Sequence, residues 1–299
     1  MTGSGVGAGA GAGARERLAA VRGWIFDMDG TLVLGDRANH GLRPLPGAAS
    51  MLEWVRSRGL PYVVFTNGTN RSPAHFARVL REDAGLDVPD ERMMTPASSA
   101  AEIFTRRGYA RVMVLGGPGL TGPLREAGIE TVPPEPGAGA DGVAGVDAVL
   151  VGSFPEFTMP ALEAACEAVW AGARLYSASQ TPFFAAAGGR ALGTSRAISA
   201  MVRSVTGCRV TTTGKPSLAA LRAAADRLGV TRLRDLAVVG DDPLLEVPMA
   251  HRGRALAIAV GTGLGDAGAY DHLPPSRQPH LLVRGVDELH GLCRRAAGV

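Results

Sequence analysis

Short apolar runs bounded by glycine recur along the chain, and each stops on polar residues. Trp24-Ile25-Phe26 follows Gly23 and runs into Asp27-Met28-Asp29-Gly30, and Tyr62-Val63-Val64-Phe65 runs into Thr66-Asn67-Gly68-Thr69-Asn70. Leu236-Ala237-Val238-Val239 runs into Gly240-Asp241-Asp242-Pro243, and Ala255 to Val260 into Gly261-Thr262-Gly263-Leu264-Gly265. Runs this short do not separate helix from strand by period, but their flanking glycines favour strands. Between the first two, Ala48, Met51, Leu52 and Val55 fall at helical spacing after Leu45-Pro46-Gly47, and Gly59 closes that helix. Ser72-Pro73 has the form of a helix start, with serine as N-cap and proline at the first position. Leu218 to Leu228 reads as a further helix and Leu281-Leu282-Val283 as a further strand.

From about residue 107 the pattern restarts. Val112 to Leu115 predicts a strand, Gly116-Gly117-Pro118-Gly119 a turn, Thr121 to Ala127 a helix and Pro133 to Gly145 a loop. Val146 to Val151, Pro160 to Gly172 and Arg174 to Ser177 then predict strand, helix and strand. Strands alternating with helices imply an α/β fold with a parallel sheet and right-handed crossovers. Residues 107–206 form a smaller α/β unit inserted between two parts of the first domain, residues 17–106 and 207–299. Residues 2 to 14 are almost all glycine and alanine, so residues 1–16 are expected to be a flexible tail rather than a secretory signal. No repeat of solenoid period is present.

Composition narrows the function. The net charge of +3 comes from arginines scattered along the chain, which gives no basic stripe for a nucleic-acid partner. The cysteines, Cys166, Cys208 and Cys293, stand far apart with no CxxC pair, which speaks against a disulfide framework or zinc site and makes a reducing cytoplasm the simplest setting. The histidines are equally dispersed; His251 reads as structural rather than catalytic. No apolar stretch approaches the ~20 residues of a membrane helix, so a soluble protein with no membrane partner is expected.

Ligands of open α/β sheets bind at the carboxyl ends of strands. Asp27-x-Asp29, Thr66 and Asp241-Asp242 occupy such ends, and Lys215 opens the helix after Gly214. Taken singly, each has a plain reading, since Asp-Gly is a turn signal. Together they suit a phosphoryl group: Lys215 and backbone donors near Thr66 for its oxygens, Asp27 and Asp241 for a hard cation such as Mg2+. Without a cation, several close carboxylates would repel an anionic substrate.

These pieces resemble the haloacid dehalogenase (HAD) superfamily of aspartate-nucleophile phosphatases. Asp27-Met28-Asp29-Gly30-Thr31 matches its first motif, Phe65-Thr66-Asn67 its second, Gly214-Lys215-Pro216 its third and Val239-Gly240-Asp241-Asp242 its fourth. The insert, with Leu115-Gly116-Gly117-Pro118-Gly119-Leu120 and Leu150-Val151-Gly152, is similar to the cap of the NagD-like branch, which includes p-nitrophenyl, pyridoxal phosphate and phosphoglycolate phosphatases. The resemblance implies a Rossmann-like parallel-sheet core with a smaller α/β cap. It also implies hydrolysis of a small phosphorylated metabolite, and a homodimer through the cap. Asp27 would be the nucleophile and Asp29 the acid-base group. Thr66, Asn67, Gly68 and Lys215 would bind the phosphoryl group, with Mg2+ held by Asp27, the Asp29 backbone carbonyl and Asp241.

Three departures bear on substrate and metal. Gly68 stands where the second motif commonly has Asn, and Asp242 or Glu246 must supply the second acid of the fourth motif. Asp242 reads equally as a metal ligand or as an acid at a helix N-terminus. The cap segment that usually reads Ala-Thr-Asn/Asp-x-Asp is Ser177-Ala178-Ser179-Gln180-Thr181, so Ser179 stands for a lost carboxylate facing substrate. Gly261-x-Gly263-x-Gly265 reads as a glycine-rich loop rather than a dinucleotide fingerprint, because the first strand-helix unit is already occupied by Asp27. Arg71 and Arg196 are either solvated or phosphate-contacting. A degenerate member that binds without turnover, or a phosphomutase, is the alternative to a phosphatase.

Overall fold

A computed structural model describes residues 12–35, 41–135, 143–154, 156–186, 189–263 and 267–299. The chain divides into two compact units, one of residues 1–34, 43–63 and 225–299, the other of residues 35–42 and 64–224.

In the first unit, parallel strands lie in the order Leu281–Val283, Leu256–Val260, Leu236–Gly240, Gly23–Phe26, Tyr62–Phe65. Gly23 faces Leu236 and Phe26 faces Val239; Ala237 faces Leu256, and Ile258 faces Leu281. Gly23–Phe26, Leu236–Gly240 and Leu256–Val260 are buried along their whole length, as parallel strands covered on both faces must be. The helix Ala48–Ser57 buries Ala48, Met51, Leu52 and Val55, the face its apolar spacing predicts, and Gly59 follows at φ +64°. That helix packs on Val286–Ala296, which also meets Ala12–Ala19. The helix Ala12–Ala19 begins inside the stretch expected to be a flexible tail, whose residues 1–11 lie outside the described residues.

The strand Tyr62–Phe65 enters the second unit at Val64, which pairs in parallel with Met93. This unit also holds a five-stranded sheet ordered Val210–Thr212, Arg174–Ser177, Ala148–Val151, Arg111–Leu115, Glu130–Val132, each neighbouring pair parallel. Successive strand residues point to opposite faces, and the alternation is used on both sides. Met113, Leu115, Val149, Val151 and Leu175 join one core with Leu162 and Val202, while Val112, Val114, Ala148, Leu150 and Tyr176 join another with Phe104 and Leu124.

Element ends differ from the expectation where caps decide them. The helix expected from Thr121 begins at Pro118, because proline is favoured at the first helical position and Gly117 serves as the cap. The helix expected from Pro160 begins at Met159, after Thr158, whose hydroxyl accepts from the Ala161 N–H at 3.3 Å. The hairpin Phe183–Ala186/Gly189–Leu192 and the helices Pro96–Arg107 and Thr194–Thr206 lie outside the expected elements, although Ala97, Ala100, Ala101 and Phe104 in the first helix and Ile198, Met201 and Val202 in the second fall at helical spacing. Residues 136–142 of the loop expected at 133–145 lie outside the described residues. Among the described residues, no helix is long and apolar enough to cross a membrane.

Candidate active site

The acids gather in the first unit because two neighbouring parallel strands end together. Phe26 pairs with Val239, and the Asp27 N–H donates to the Val239 carbonyl at 2.8 Å, so Asp27 and Asp241 leave the sheet side by side. Beyond Asp27 the chain turns sharply: the Gly30 N–H donates to the Val33 carbonyl at 2.8 Å, and Gly30 takes φ +80°, a conformation open to glycine. The turn brings the Thr31 hydroxyl back to Asp27, where it donates to Oδ2 at 3.3 Å.

Asp241 is enclosed by backbone. A β-carbon on either Gly30 or Gly263 would overlap its carboxylate, so glycine at both positions is what gives that carboxylate its place. The two glycines are tied to one another through Thr262, whose hydroxyl donates to the Gly30 carbonyl at 2.6 Å. The loop Gly261-Thr262-Gly263 thus has a structural task beside Asp241; Gly265, the last glycine of the run, lies outside the described residues.

Asp242 is not an acid of the helix's first turn. The helix begins at Glu246, with Leu245 at the cap, and Glu246 is the acid of its first turn. Asp242 lies in the preceding turn: its Oδ1 accepts from the Leu244 N–H at 2.7 Å, and its own N–H donates to Glu246 Oε2 at 3.2 Å. Glu246 is buried and lies on Gly240, where a β-carbon would strike its side chain.

Tyr270 was not expected near the acids. Its phenol is buried, and its pKa is raised first by burial and then by the negative charges of Glu246, Asp241 and Asp242. A tyrosine in a loop has no spacing that would have announced it.

The second unit assembles the residues of the second and third motifs. The side-chain amide of Asn67 grips the backbone of Lys215 from both sides, accepting from its N–H at 2.9 Å and donating to its carbonyl at 3.0 Å. Lys215 is the only lysine of the 299 residues and is 1% exposed. Its Nζ lies 5.8 Å from the centroid of the Phe65 ring, a favourable place for an ammonium. Thr66, also buried, accepts from the Gly68 N–H at 3.1 Å through its hydroxyl. A β-carbon on Gly68 would come within 2.8 Å of the Phe76 ring, which explains why glycine stands there.

The segment Ser177–Thr181 belongs to the same unit. Gly214 is wedged against the Ala178 carbonyl and Asn67, and the Thr213 N–H donates to the Ser177 carbonyl at 2.9 Å. The Ser179 hydroxyl donates to Thr181 Oγ1 at 3.1 Å and accepts from the Thr181 N–H at 3.2 Å, while Arg196 donates to the Gln180 carbonyl at 3.2 Å. Arg196 is therefore a brace for this segment. His251 is a structural group, with Nε2 2.7 Å from the Gln278 carbonyl.

The donor set fits Mg2+. Asp27 and Asp241 offer hard carboxylate oxygens beyond the carboxyl ends of two adjacent strands. Mg2+ characteristically takes one or two carboxylates and keeps several waters rather than filling an all-protein cage.

Residues 24–130 match the family model described as haloacid dehalogenase-like hydrolase, and residues 212–289 a second, HAD-hydrolase-like model. The chain is 29% identical over 221 residues to the acid sugar phosphatase of Staphylococcus haemolyticus, covering 74% of this chain and 77% of that one. It is 28% identical over 289 residues to human chronophin, covering 92% and 94%. It is 25% identical over 258 residues to the ribonucleotide monophosphatase NagD of Escherichia coli K-12, covering 85% and 93%. A solved structure of NagD from that strain superposes with a TM-score of 0.75 over 90% of this chain and 98% of that one, at 24% identity.

Proposed function

We propose, for a chain that belongs to the haloacid dehalogenase-like hydrolases and to their NagD-like branch, a Mg2+-dependent phosphomonoesterase working through an aspartyl-phosphate at Asp27. That it is a phosphatase of this superfamily follows from its relatives; the metal, the intermediate and the residue roles are our reading. The observation that carries the reading is the exit of Asp27 and Asp241 from the ends of adjacent parallel strands, with Gly30 and Gly263 shaping the place of Asp241.

In this reading Asp27 Oδ attacks the phosphorus of the ester as the P–O bond to the leaving group breaks. Thr31 holds the carboxylate by its hydrogen bond to Oδ2, which fixes the direction of attack. Asp29 gives its proton to the departing alkoxide, so that a neutral alcohol leaves. The same carboxylate then takes a proton from water, the oxygen attacks the phosphorus of the acyl phosphate, and Asp27 is released with inorganic phosphate. The net change is ester plus water to alcohol plus phosphate.

Asp27, the Asp29 carbonyl and Asp241 would hold the Mg2+, with Asp242 or Glu246 supporting it. When bound, Mg2+ neutralises charge on the phosphoryl oxygens. By the motif resemblance, Lys215 and Thr66 would bind those oxygens. Asn67 contributes through its grip on the Lys215 backbone, and Gly68 through its N–H, which now turns toward the Thr66 hydroxyl.

The substrate is a small phosphate ester, and residues 107–206 act as the cap that reads its leaving group. Ser179 and Gln180 replace a carboxylate there, so hydroxyl and amide contacts to the leaving group take the place of a charged one. A reducing cytoplasm and a homodimer through the cap complete the reading, the former supported by three free cysteines.

The test is a phosphate-release screen over sugar phosphates, nucleotides, pyridoxal phosphate and phosphoglycolate, with Mg2+ and with chelator. Release that requires Mg2+ supports the proposal. Binding without release under every condition favours a degenerate member of the superfamily.

A further inference from the structure

A cavity of about 330 Å3 lies wholly within the first unit, at the lower end of the roughly 300–1,000 Å3 typical of small-molecule sites. It forms where the helix Ala12–Ala19 ends, beside Trp54 of the helix Ala48–Ser57 and the last turn of Val286–Ala296. Ala296 and Ala297 stand on its wall, and side chains this short leave the space open. Arg22 is also on the wall, immediately before the strand Gly23–Phe26, whereas Asp27 follows that strand. Extended chain from residue 22 to residue 27 spans about 16 Å. The cavity is therefore at the amino end of the strand whose carboxyl end carries Asp27, and it is separate from the acids.

Its floor is apolar and its rim is cationic. Leu18, Val21 and Cys293 are buried, and burial pushes the Cys293 thiol up to about 12, so this cysteine is a neutral apolar group. Arg22 and Arg58 are exposed, and no acidic residue shares the wall with them. The Arg58 guanidinium lies 6.0 Å from the centroid of the Trp54 ring, a cation–π distance that keeps it beside the cavity. The Arg22 N–H donates to the Asp235 carbonyl at 2.7 Å, which fixes the backbone of the other arginine.

Two guanidinium groups above an apolar floor select a ligand with two unlike ends. The guanidinium fork matches the paired oxygens of a carboxylate, and the floor takes a hydrocarbon or aromatic body. The occupant must be small: at about 30 Å3 for each water-sized group, the space holds about ten non-hydrogen atoms.

We propose that this cavity is a second ligand site, which takes a small carboxylate with an aromatic or short aliphatic body. The carboxylate is held at Arg22 and Arg58, and the body lies beside Trp54 on the buried floor. This site uses neither Mg2+ nor the acids at the strand ends, so it stands or falls apart from the phosphatase reading.

The experiment is calorimetric titration of the full chain with phenylacetate, in EDTA so that no metal at the acids recruits the carboxylate. The comparison probes are 2-phenylethanol, which lacks the charge, and acetate, which lacks the ring. The variants are Arg22→Gln, Arg58→Gln and Ala296→Phe, the last of which fills the cavity. The expected result is a phenylacetate Kd of about 1 mM, as for an efficient ligand of this size. The arginine variants should each weaken it by about 10-fold, and Ala296→Phe should abolish it. Both arginines are exposed, so these two variants carry the test even where the added ring disturbs the helix end. No binding by the wild type at about 10 mM phenylacetate overturns the proposal. So does 2-phenylethanol or acetate bound as tightly as phenylacetate, or a phenylacetate Kd unaltered in both arginine variants.

Discussion

The side-chain amide of Asn67 spans the peptide N–H and carbonyl of Lys215, 148 residues away, with bonds of 2.9 and 3.0 Å. An amide that satisfies both backbone groups of one residue fixes that residue's position. The chain's only lysine is thereby set by the second motif.

Asn67→Ala should release this grip. Two lost hydrogen bonds of ordinary strength correspond to about 1–3 kcal/mol of stability, measurable by urea unfolding. KM for the phosphate ester should rise as Lys215 loses its fixed place. Unfolding stability and KM both unchanged would show that the grip matters to neither.

Lys215→Gln removes the ammonium while keeping a polar side chain of similar reach. If Lys215 binds the phosphoryl oxygens, kcat/KM should fall by about 100- to 1,000-fold, the range found when one charge-stabilising donor is removed. Circular dichroism would establish that the variant is folded, and an unaltered kcat/KM would remove Lys215 from the site.

Gly263→Ala tests the enclosure of Asp241 without altering a left-handed backbone, since Gly263, unlike Gly30 at φ +80°, is not in that region. The new β-carbon overlaps the Asp241 carboxylate. The expected outcome is a folded protein whose Mg2+ concentration for half-maximal activity is raised by about 10-fold or more. An unchanged Mg2+ dependence would mean that the Asp241 position is not limiting.

Much of this was legible in sequence, and the reasons are local. The helix Ala48–Ser57 buries the four positions its spacing marks, and the apolar runs before Asp27, Thr66 and Asp241 are strands. The helix Pro96–Arg107 carries its period in Ala97, Ala100, Ala101 and Phe104, a weak apolar signal because most of these are alanines with Ser98 and Ser99 among them, and its capping box uses Thr95 with Ser98 rather than an acid or amide. Gly68 was legible only as a departure, since Phe76, whose ring occupies the space of a β-carbon, is eight residues on. The bonds of Asn67 to Lys215 and the position of Tyr270 depend on tertiary packing, which no periodicity encodes.

His280 gives the fold a dependence on acid. Its Nδ1 accepts from the Ala257 N–H at 2.9 Å, and burial, then Arg17 and the neighbouring His251, lower its pKa from 6.5 to about 4. The neutral ring is the folded form, so the unfolded chain binds the extra proton between pH 6.5 and 4. Stability from this residue is complete above pH 6.5 and is lost as pH falls to about 4. The effect should be small because His280 is partly in solvent. His280→Asn, which keeps an acceptor but does not titrate, should flatten that part of the stability profile measured by denaturant unfolding. An identical slope in both proteins would assign the acid dependence elsewhere.

Ser179→Asp restores a carboxylate to the segment that reads the leaving group. The expected outcome is a changed ranking of esters in the phosphate-release panel, with esters bearing cationic or hydroxylated leaving groups rising. A uniform loss or gain across the panel would show that Ser179 does not set selectivity.

The role of Asp27 is tested most directly by acid-quenching the enzyme seconds after mixing with a turned-over ester and Mg2+, then mapping peptides by mass. The wild type should carry one phosphoryl group on the peptide that holds Asp27. Asp27→Asn should carry none and release phosphate at least about a thousand-fold more slowly. A phosphoryl group on any other residue, or an Asp27→Asn enzyme that still turns over at the wild-type rate, would contradict the account.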